Sequence, residues 1–543
     1  MLSAISRKKE VYDFFLTKGF LVSPSFLQQL NEDFKVDDFY KKLKNTSTAP
    51  LVLTDDIFFI VNGDIPAEVN WPEFEKSRVK VERGINDKPY HEFLDVLHYN
   101  LDETKKEILE EPKQEMVSLS SVEHRVIILK NYIEKYKKKE VMDFVHYFRA
   151  RYNSLKSLLL YRAELHNTIS INRVLQRTEK GAVSLIGLVK DKKLSKNGNL
   201  IFILEDLTGT ISVVVNKNKP DFFSSCQDIL LDEVIGVVGI NSEKIVFANE
   251  ILFPDIPLNN ELKKLDTEEY VVFTSDLHVG SKMFFEDNFL KFISWLNGEY
   301  GNEEHRAIAK KVKYLFIGGD LVEGVGIYPG QEEDLVIRDI YEQYNKLTEY
   351  LSKIRKDLHI IIIGGNHDAL RLSEPQPPID PKIASTLYEL KNILFVTNPS
   401  FVNIGSTEQF VGFNVLLYHG GSFPYLSENV NSVRRSGRLD RPDLIMKYIL
   451  QRRHLAVSHT STLYIPDEED FLVIDKIPDF FVSGHIHKTV INNYRNITMI
   501  GCGCWTGQTE DQARRGIVPD PNRIIIVNLQ TREPKILNFE GDK

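Results

Sequence analysis

The chain has 543 residues, 42% hydrophobic and 27% charged, a composition that excludes intrinsic disorder and a length that excludes one ordinary domain. No apolar run approaches the ~20 residues that span a bilayer, and the opening "MLSAISRKKEVYDFF" lacks the apolar core of a signal peptide, so a cytoplasmic protein without membrane contact is expected. The formal net charge of −9 argues against non-specific coating of DNA, and three cysteines (Cys226, Cys502, Cys504) exclude a disulfide framework and a four-thiolate zinc site.

Residues 1–61 predict a small helical module. Val11, Phe14 and Phe15 share a face, Gly19 suits a helix C-terminal cap, and Ser23-Pro24 reads as an N-cap followed by proline at the first helical position. Residues 62–120 are rich in Asp, Glu, Lys and Pro with weak periodicity, which predicts a flexible linker. Over 121–165 an amphipathic helical segment is expected, with Val141, Phe144, Val145, Phe148, Tyr152 and Leu155 at spacings of three and four. Residues 166–258 change to short β-branched runs divided by turn pairs such as Asn197-Gly198 and Thr208-Gly209. Five such strands fit a small closed barrel resembling the OB-fold, in which Phe202, Phe222 and Phe223 are the few aromatics available for base stacking; a barrel used for protein packing is an equal expectation.

From 262 to 543 the pattern is α/β. The runs "YVVFTS", "KYLFIGG", "HIIIIGG", "NVLLYH" and "DFFVSGH" are continuous and glycine-bounded, as strands buried on both faces are. Each is followed by polar residues: Asp276 and His278, then Asp320, then Asn366, His367 and Asp368, then His419, then His485 and His487. In layered α/β folds the ligand site lies beyond the carboxyl ends of the strands, where these residues would gather. A single Asp-x-His reads as a turn; five strand ends in succession read as a site. Carboxylates, imidazoles and one amide without thiolate suit manganese, iron or zinc. Seven side chains exceed the needs of one ion, whereas two ions ~3.5–4 Å apart would use them all. Gly364 and Gly365 are expected to let the backbone turn tightly at their strand end.

Asp276-x-His278, Gly319-Asp320-x-x-Glu323, Gly365-Asn366-His367-Asp368, His419 and Gly484-His485-x-His487 together resemble the complete signature of the calcineurin-like metallophosphoesterases. The resemblance implies an α/β sandwich preceded here by the OB-fold β-barrel and the N-terminal helical module. It implies that Asp276, His278, Asp320 and His487 hold one divalent ion, and that Asp320 bridges to a second held by Asn366, His419 and His485. Manganese is the first expectation for both ions, with iron or zinc as alternatives. His367 would be the catalytic acid, and Asp368 a second catalytic candidate that orients it or caps the turn.

A barrel immediately before a phosphoesterase domain is similar to the arrangement in small subunits of archaeal family-D DNA polymerases. "KGFLVSPSFL", "MDFVHYFRARY", "DLIMKYILQRRHLA" and "CWTGQT" extend that resemblance. It implies a 3'-to-5' proofreading exonuclease acting on a single-stranded 3' end of DNA, with polymerisation residing in a large catalytic subunit as partner. A freestanding repair nuclease and a non-catalytic scaffold are the alternatives. Between 421 and 460, Arg434, Arg435, Arg438 and Arg441 are candidates for DNA-backbone contact, with Arg452 and Arg453 nearby, since guanidinium forks match phosphate oxygens. Salt bridges to the large subunit or to nearby acids are the competing use of these arginines.

Overall fold

The computed structural model describes residues 2–23, 26–27, 30, 34–44, 52–53, 125–134, 137–509, 512–513 and 516–540. The linker expected over 62–120 lies outside them. The chain divides into two units, residues 1–115 and 116–543.

In the first unit, helices Leu2–Thr17 and Val36–Lys44 accompany a parallel strand pair, Leu21–Val22 with Leu53 and its neighbour Val52. The first helix stops because Gly19 takes a left-handed φ of +89°, which lets Phe20 N–H close back on the Phe15 carbonyl at 3.0 Å. Ser23 Oγ then accepts from Phe26 N–H at 3.2 Å. Val11, Phe15, Phe26, Phe39, Leu43 and Leu53 form its core, with Phe15 edge-on to Phe26 and Phe39.

The second unit holds a closed barrel and two six-stranded sheets. The barrel strands are Gly181–Leu194, Leu200–Asp206, Gly209–Val215, Val234–Ser242 and Ile245–Leu252, with helix Pro220–Cys226 between the third and fourth. The first strand pairs with the fourth, and the third pairs in parallel with the fifth, which closes the ring. Alternate residues, among them Phe202, Leu204, Ile211 and Val213, fill the interior.

Helix Val141–Leu159 packs on this barrel. Its buried stripe is Tyr147, Arg151, Tyr152, Leu155 and Leu159, so only Tyr152 and Leu155 of the expected face are buried, and Val141 is 80% exposed. The helix is rotated because Arg151, a residue that apolar periodicity assigns to solvent, is drawn inward to pair with Asp470 at 2.7 Å. A second departure precedes it: residues 125–130, inside the segment expected to be helical, form strand Arg125–Lys130 and pair antiparallel with Ser400–Ser406.

That strand completes one of the two sheets, ordered Val490–Tyr494, Ile497–Gly501, Phe480–Ser483, Phe413–Leu417, Ser400–Ser406, Arg125–Lys130. The other runs Ile393–Phe395, His359–Ile362, Val312–Ile317, Tyr270–Thr274, Arg523–Asn528, Pro534–Asn538. The sheets share one interior: Val271, Phe273 and Phe316 of the latter pack with Val415, Phe480 and Val482 of the former. Outward-facing Val272, Leu315 and Ile360 bury against helices Glu286–Leu296 and Ile340–Leu351, while Leu416 and Phe481 bury against helix Pro442–Arg452. Two-sided burial is why these strands read as unbroken apolar runs. Arg452 fixes the barrel to this body, reaching Glu233 at 3.1 Å while lying over the Phe253 and Tyr448 rings.

Candidate metal centre

The five polar clusters follow strands Tyr270–Thr274, Val312–Ile317 and His359–Ile362, adjacent in one sheet, and Phe413–Leu417 and Phe480–Ser483, adjacent in the other. All five carboxyl ends open on one point between the sheets. Asp276, His278, Asp320, His419 and His487 are buried there. Ligating atoms lie within 4.8 Å of one another in three groups: Asp276, His278 and His487; His278, Asp320 and His367; Asp320, His419 and His485.

Five of these residues, Asp276, His278, Asp320, His485 and His487, have left-handed φ angles between 50° and 67°. Such backbone is disfavoured for any residue with a Cβ and persists where the surroundings over-determine it. Here the surroundings are hydrogen bonds to the loop backbone: His485 N–H donates to both Asp276 oxygens at 3.0 Å, His278 N–H to the Asp320 carbonyl at 3.0 Å, and Trp505 N–H to the Asp276 carbonyl at 3.0 Å. Gly364 and Gly365, expected to supply a tight turn, take no left-handed angle. Their role is space. A Cβ on Gly365 would stand 2.2 Å from Asp320 Oδ1, and one on Gly364 2.2 Å from Leu370 Cδ1.

The ring nitrogens set the electrostatics of the site. His419 Nδ1 lies 2.8 Å from the Gly318 carbonyl and so carries the proton of a neutral ring. Its Nε2 lone pair then faces Asn366 Oδ1 at 3.1 Å and Asp320 Oδ2 at 3.2 Å, both acceptors. His278 Nε2 and His487 Nε2 are 3.1 Å apart, and His487 Nε2 is 3.2 Å from Asp276 Oδ1. Where the His419 lone pair meets the Asn366 and Asp320 oxygens, a cation is needed between them. Protons can serve: burial disfavours charge on His419, but Asp320 outweighs it and pushes the imidazole up to about 10. Burial likewise opposes ionisation of Asp320, and His419 and His367 outweigh it, holding the carboxyl well below its usual range. His485 moves the other way, to about 4, under burial and the neighbouring His419. Carboxylates, imidazoles and an amide oxygen in this arrangement fit hard to borderline divalent metals.

His367 sits beside the cluster. Its backbone N–H donates to Asp320 Oδ1 at 2.8 Å, and its Nδ1 lies 2.8 Å from the Glu323 carbonyl. Asp368 does not orient it. The Asp368 carboxylate accepts from Gly365 N–H at 2.8 Å, Leu321 N–H at 3.2 Å and Tyr344 O–H at 3.1 Å, so it pins the loop from beneath. Burial, with Asp320 close by, raises its carboxyl to about 7. The residue that does bracket the histidines is Glu323, whose carboxylate stands 3.8 Å from His367 Nδ1 and 3.0 Å from His278 Nδ1, off-axis for a hydrogen bond to the latter. Glu323 is part of the phosphoesterase signature, yet sequence reasoning assigned it no role; its place three residues after Asp320 in one loop was the available signal. Gln512, whose Nε2 is 3.0 Å from His487 Nδ1, carried no signal at all.

The arginines divide. Arg434, Arg435, Arg438 and Arg441 are exposed, with Arg434 bonded to Asn431 at 2.9 Å and Arg441 forked onto Asp443 at 2.9 and 2.8 Å. Arg452 and Arg453 are buried, the first on Glu233 and the second on the Ile474 and Asp475 carbonyls. Among the described residues, none of the hydrogen bonds of these six reaches the histidine cluster, and no helix is long and apolar enough to cross a membrane.

The calcineurin-like phosphoesterase family matches residues 270–489, the span from the first of these strands to just past His487. The DNA polymerase II small subunit of Methanothermobacter thermautotrophicus is 42% identical over 401 residues, which cover 74% of this chain and 80% of that protein. The chain belongs to the archaeal DNA polymerase II small-subunit family. Other small subunits, from Methanocaldococcus jannaschii and Pyrococcus furiosus, are 39% and 36% identical over 74% of the chain and 66% and 64% of their own lengths. In this chain the matched span contains all the Asp and His residues grouped above.

Proposed function

We propose that this small subunit is a 3'-to-5' exonuclease that hydrolyses DNA phosphodiesters with two divalent ions, manganese before iron or zinc, and proofreads for a large polymerase subunit. The observation that carries the reading is the convergence of carboxylates, imidazoles and one amide oxygen from five strand ends, with Asp276, His278, Asp320, His419 and His487 buried, a donor set that suits divalent ions. A subunit kept as a scaffold has no need of them, and the names of the relatives support the large partner.

Asp276, His278, Asp320 and His487 hold one ion, and Asp320, Asn366, His419 and His485 the other. When bound, the ions supply Lewis-acid activation of the phosphate and of the attacking water. The remaining work belongs to side chains. The Glu323 carbonyl accepts from His367 Nδ1–H and fixes the ring, so that the imidazolium formed when Nε2 takes up a second proton delivers that proton to the departing sugar oxygen, a contribution typically worth ~10²–10⁴ in rate. Asp368 holds the loop that presents Asn366 and His367. The five-stranded barrel of 166–258 is read as an OB-fold, and the exposed Arg434, Arg435, Arg438 and Arg441 as backbone contacts for the single strand. The domain plan follows: helical module 1–61, linker 62–120, strand and helix within 121–165, barrel, and phosphoesterase 262–543, the last completed by Arg125–Lys130.

Incubating the purified chain with 3'- and 5'-end-labelled single-stranded DNA and manganese tests this directly. Stepwise shortening from the 3' end, abolished by chelation, is the expected result. Intact DNA from a chain loaded with two ions refutes the nuclease reading.

A further inference from the structure

Two buried amides outside every motif connect the loops that carry Asn366 and His419. Gln376 and Asn398 are 3% and 2% exposed. Their backbones exchange hydrogen bonds, Gln376 N–H to the Asn398 carbonyl at 2.7 Å and Asn398 N–H to the Gln376 carbonyl at 3.0 Å. Their side chains continue the contact, with Asn398 Nδ2 donating to Gln376 Oε1 at 2.6 Å. The outer ends of the pair reach the site. Asn398 Oδ1 accepts from the backbone N–H of His419 at 3.0 Å. Gln376 Nε2 donates to the Arg371 carbonyl at 2.8 Å and, at 3.4 Å, to the carbonyl of Gly365, the peptide that leads into Asn366.

Every oxygen and nitrogen orientation in this relay is forced. Turning the Asn398 amide over would set its NH₂ against the His419 N–H, donor to donor, and turning Gln376 would set two oxygens against each other. The relay therefore links the Asn366 loop of one sheet to the His419 loop of the other, and it does so beside one of the places where ligands from the two sheets meet: Asn366 Oδ1 and His419 Nε2, 3.1 Å apart. The opposite side of the cluster is held differently. Asp276 accepts from the backbone N–H groups of His485 and Trp505, and His278 N–H donates to the Asp320 carbonyl, all within the ligand loops or directly behind them.

We infer that the Gln376–Asn398 amide pair is a positioning device for the second ion alone, holding Asn366 and His419 at ligating separation while leaving the first ion's ligands untouched. The inference rests on the two-ion reading above. Partners of this kind behind metal ligands typically account for about 10- to 100-fold in metal affinity.

Manganese titration of the full chain by calorimetry, with bound ions counted by elemental analysis, separates the two ideas. Gln376→Leu and Asn398→Leu are expected to weaken the second binding step about 10- to 100-fold and to leave the first within about twofold. The double variant should be no worse than the worse single, because the pair works as one unit. Gln376→Asn, which shortens the arm by one methylene, should show the same split in smaller degree and serves where a leucine variant does not fold. A general loosening of the fold would weaken both steps together. Equal loss at both steps, or no change at either in Gln376→Asn and the leucine variants, overturns the positioning role. A wild-type chain that takes up fewer than two ions overturns the two-ion reading instead.

Discussion

Two buried clusters in this chain have almost the same ingredients and opposite character. Around Asp470, the carboxylate accepts from Arg151 at 2.7 Å, His454 at 2.8 Å, Tyr147 at 2.8 Å and the Leu472 N–H at 3.0 Å. His454 is satisfied at both ends, since its Nδ1 accepts from Ala456 N–H at 3.0 Å. Each acceptor there has a donor from the protein itself. Around Asp320 one carboxylate oxygen accepts from His367 N–H at 2.8 Å, but the other faces the ring nitrogens of His419 and His278, and no arginine or lysine among the described residues pairs with that carboxylate. A closed cluster is a joint, here between helix Val141–Leu159 and the phosphoesterase body; an open one is a place made for something else. Burial and charge alone do not tell them apart, whereas the balance of donors and acceptors does.

The sharpest way to break this comparison is to remove each carboxylate. Asp320→Ala should lose both bound ions by elemental analysis and all measurable hydrolysis, together with the stabilisation that saturating metal gives, about 2.7 kcal/mol at one hundred times Kd. Retention of two ions in Asp320→Ala would erase the distinction. His367→Ala should keep both ions and still bind DNA in a gel-shift assay, but cleave ~10²–10⁴ more slowly. An aryl phosphodiester, whose leaving group needs no proton, should be spared most of that loss. Asp470→Ala should keep metal and lose stability, about 3–5 kcal/mol in chemical denaturation, because Arg151 is left as an uncompensated buried charge.

A smaller effect sharpens the contrast through pH. Burial, reinforced by Arg151, holds His454 down to about 4, against about 6.5 when unfolded. Between those values the unfolded chain binds the extra proton, so stability rises with pH across the window and falls as pH drops from 6.5 toward 4. His454→Gln can keep both hydrogen bonds without titrating. With metal saturating in both proteins, it should remove a slope on the order of 2 kcal/mol between pH 6.5 and 5 in denaturant melts.

Much of the ligand cluster was legible because each strand is buried on both faces and ends abruptly in a polar group, a contrast visible in "YVVFTSDLH" and "IIIIGGNHD" without any structure. What escaped was whatever depended on a partner far along the chain. Arg151 reads as solvent-facing until Asp470 is brought against it. Strand Arg125–Lys130 is a single apolar run beside a lysine-rich stretch, and only Ser400–Ser406 makes it a strand. Arg452 and Arg453 raised the local arginine density exactly as surface residues would, although both are interior. Gln376 and Asn398 stand in "SEPQPP" and "TNPS", where prolines and small polar residues announce a turn and nothing more. Of the two roles expected of Asp368, its hydrogen bonds from Gly365, Leu321 and Tyr344 are those of capping the turn; adjacency in sequence to His367 does not bring the two side chains together.

The left-handed backbone at Asp276, His278, Asp320, His485 and His487 bears on what holds the site together. Each of those conformations costs about 1–2 kcal/mol for a residue bearing a Cβ and almost nothing for glycine. At these five positions the backbone term therefore favours glycine, and at Asp276 and Asp320 it is opposed by the hydrogen bonds that their buried carboxylates accept from the His485 and His367 N–H groups.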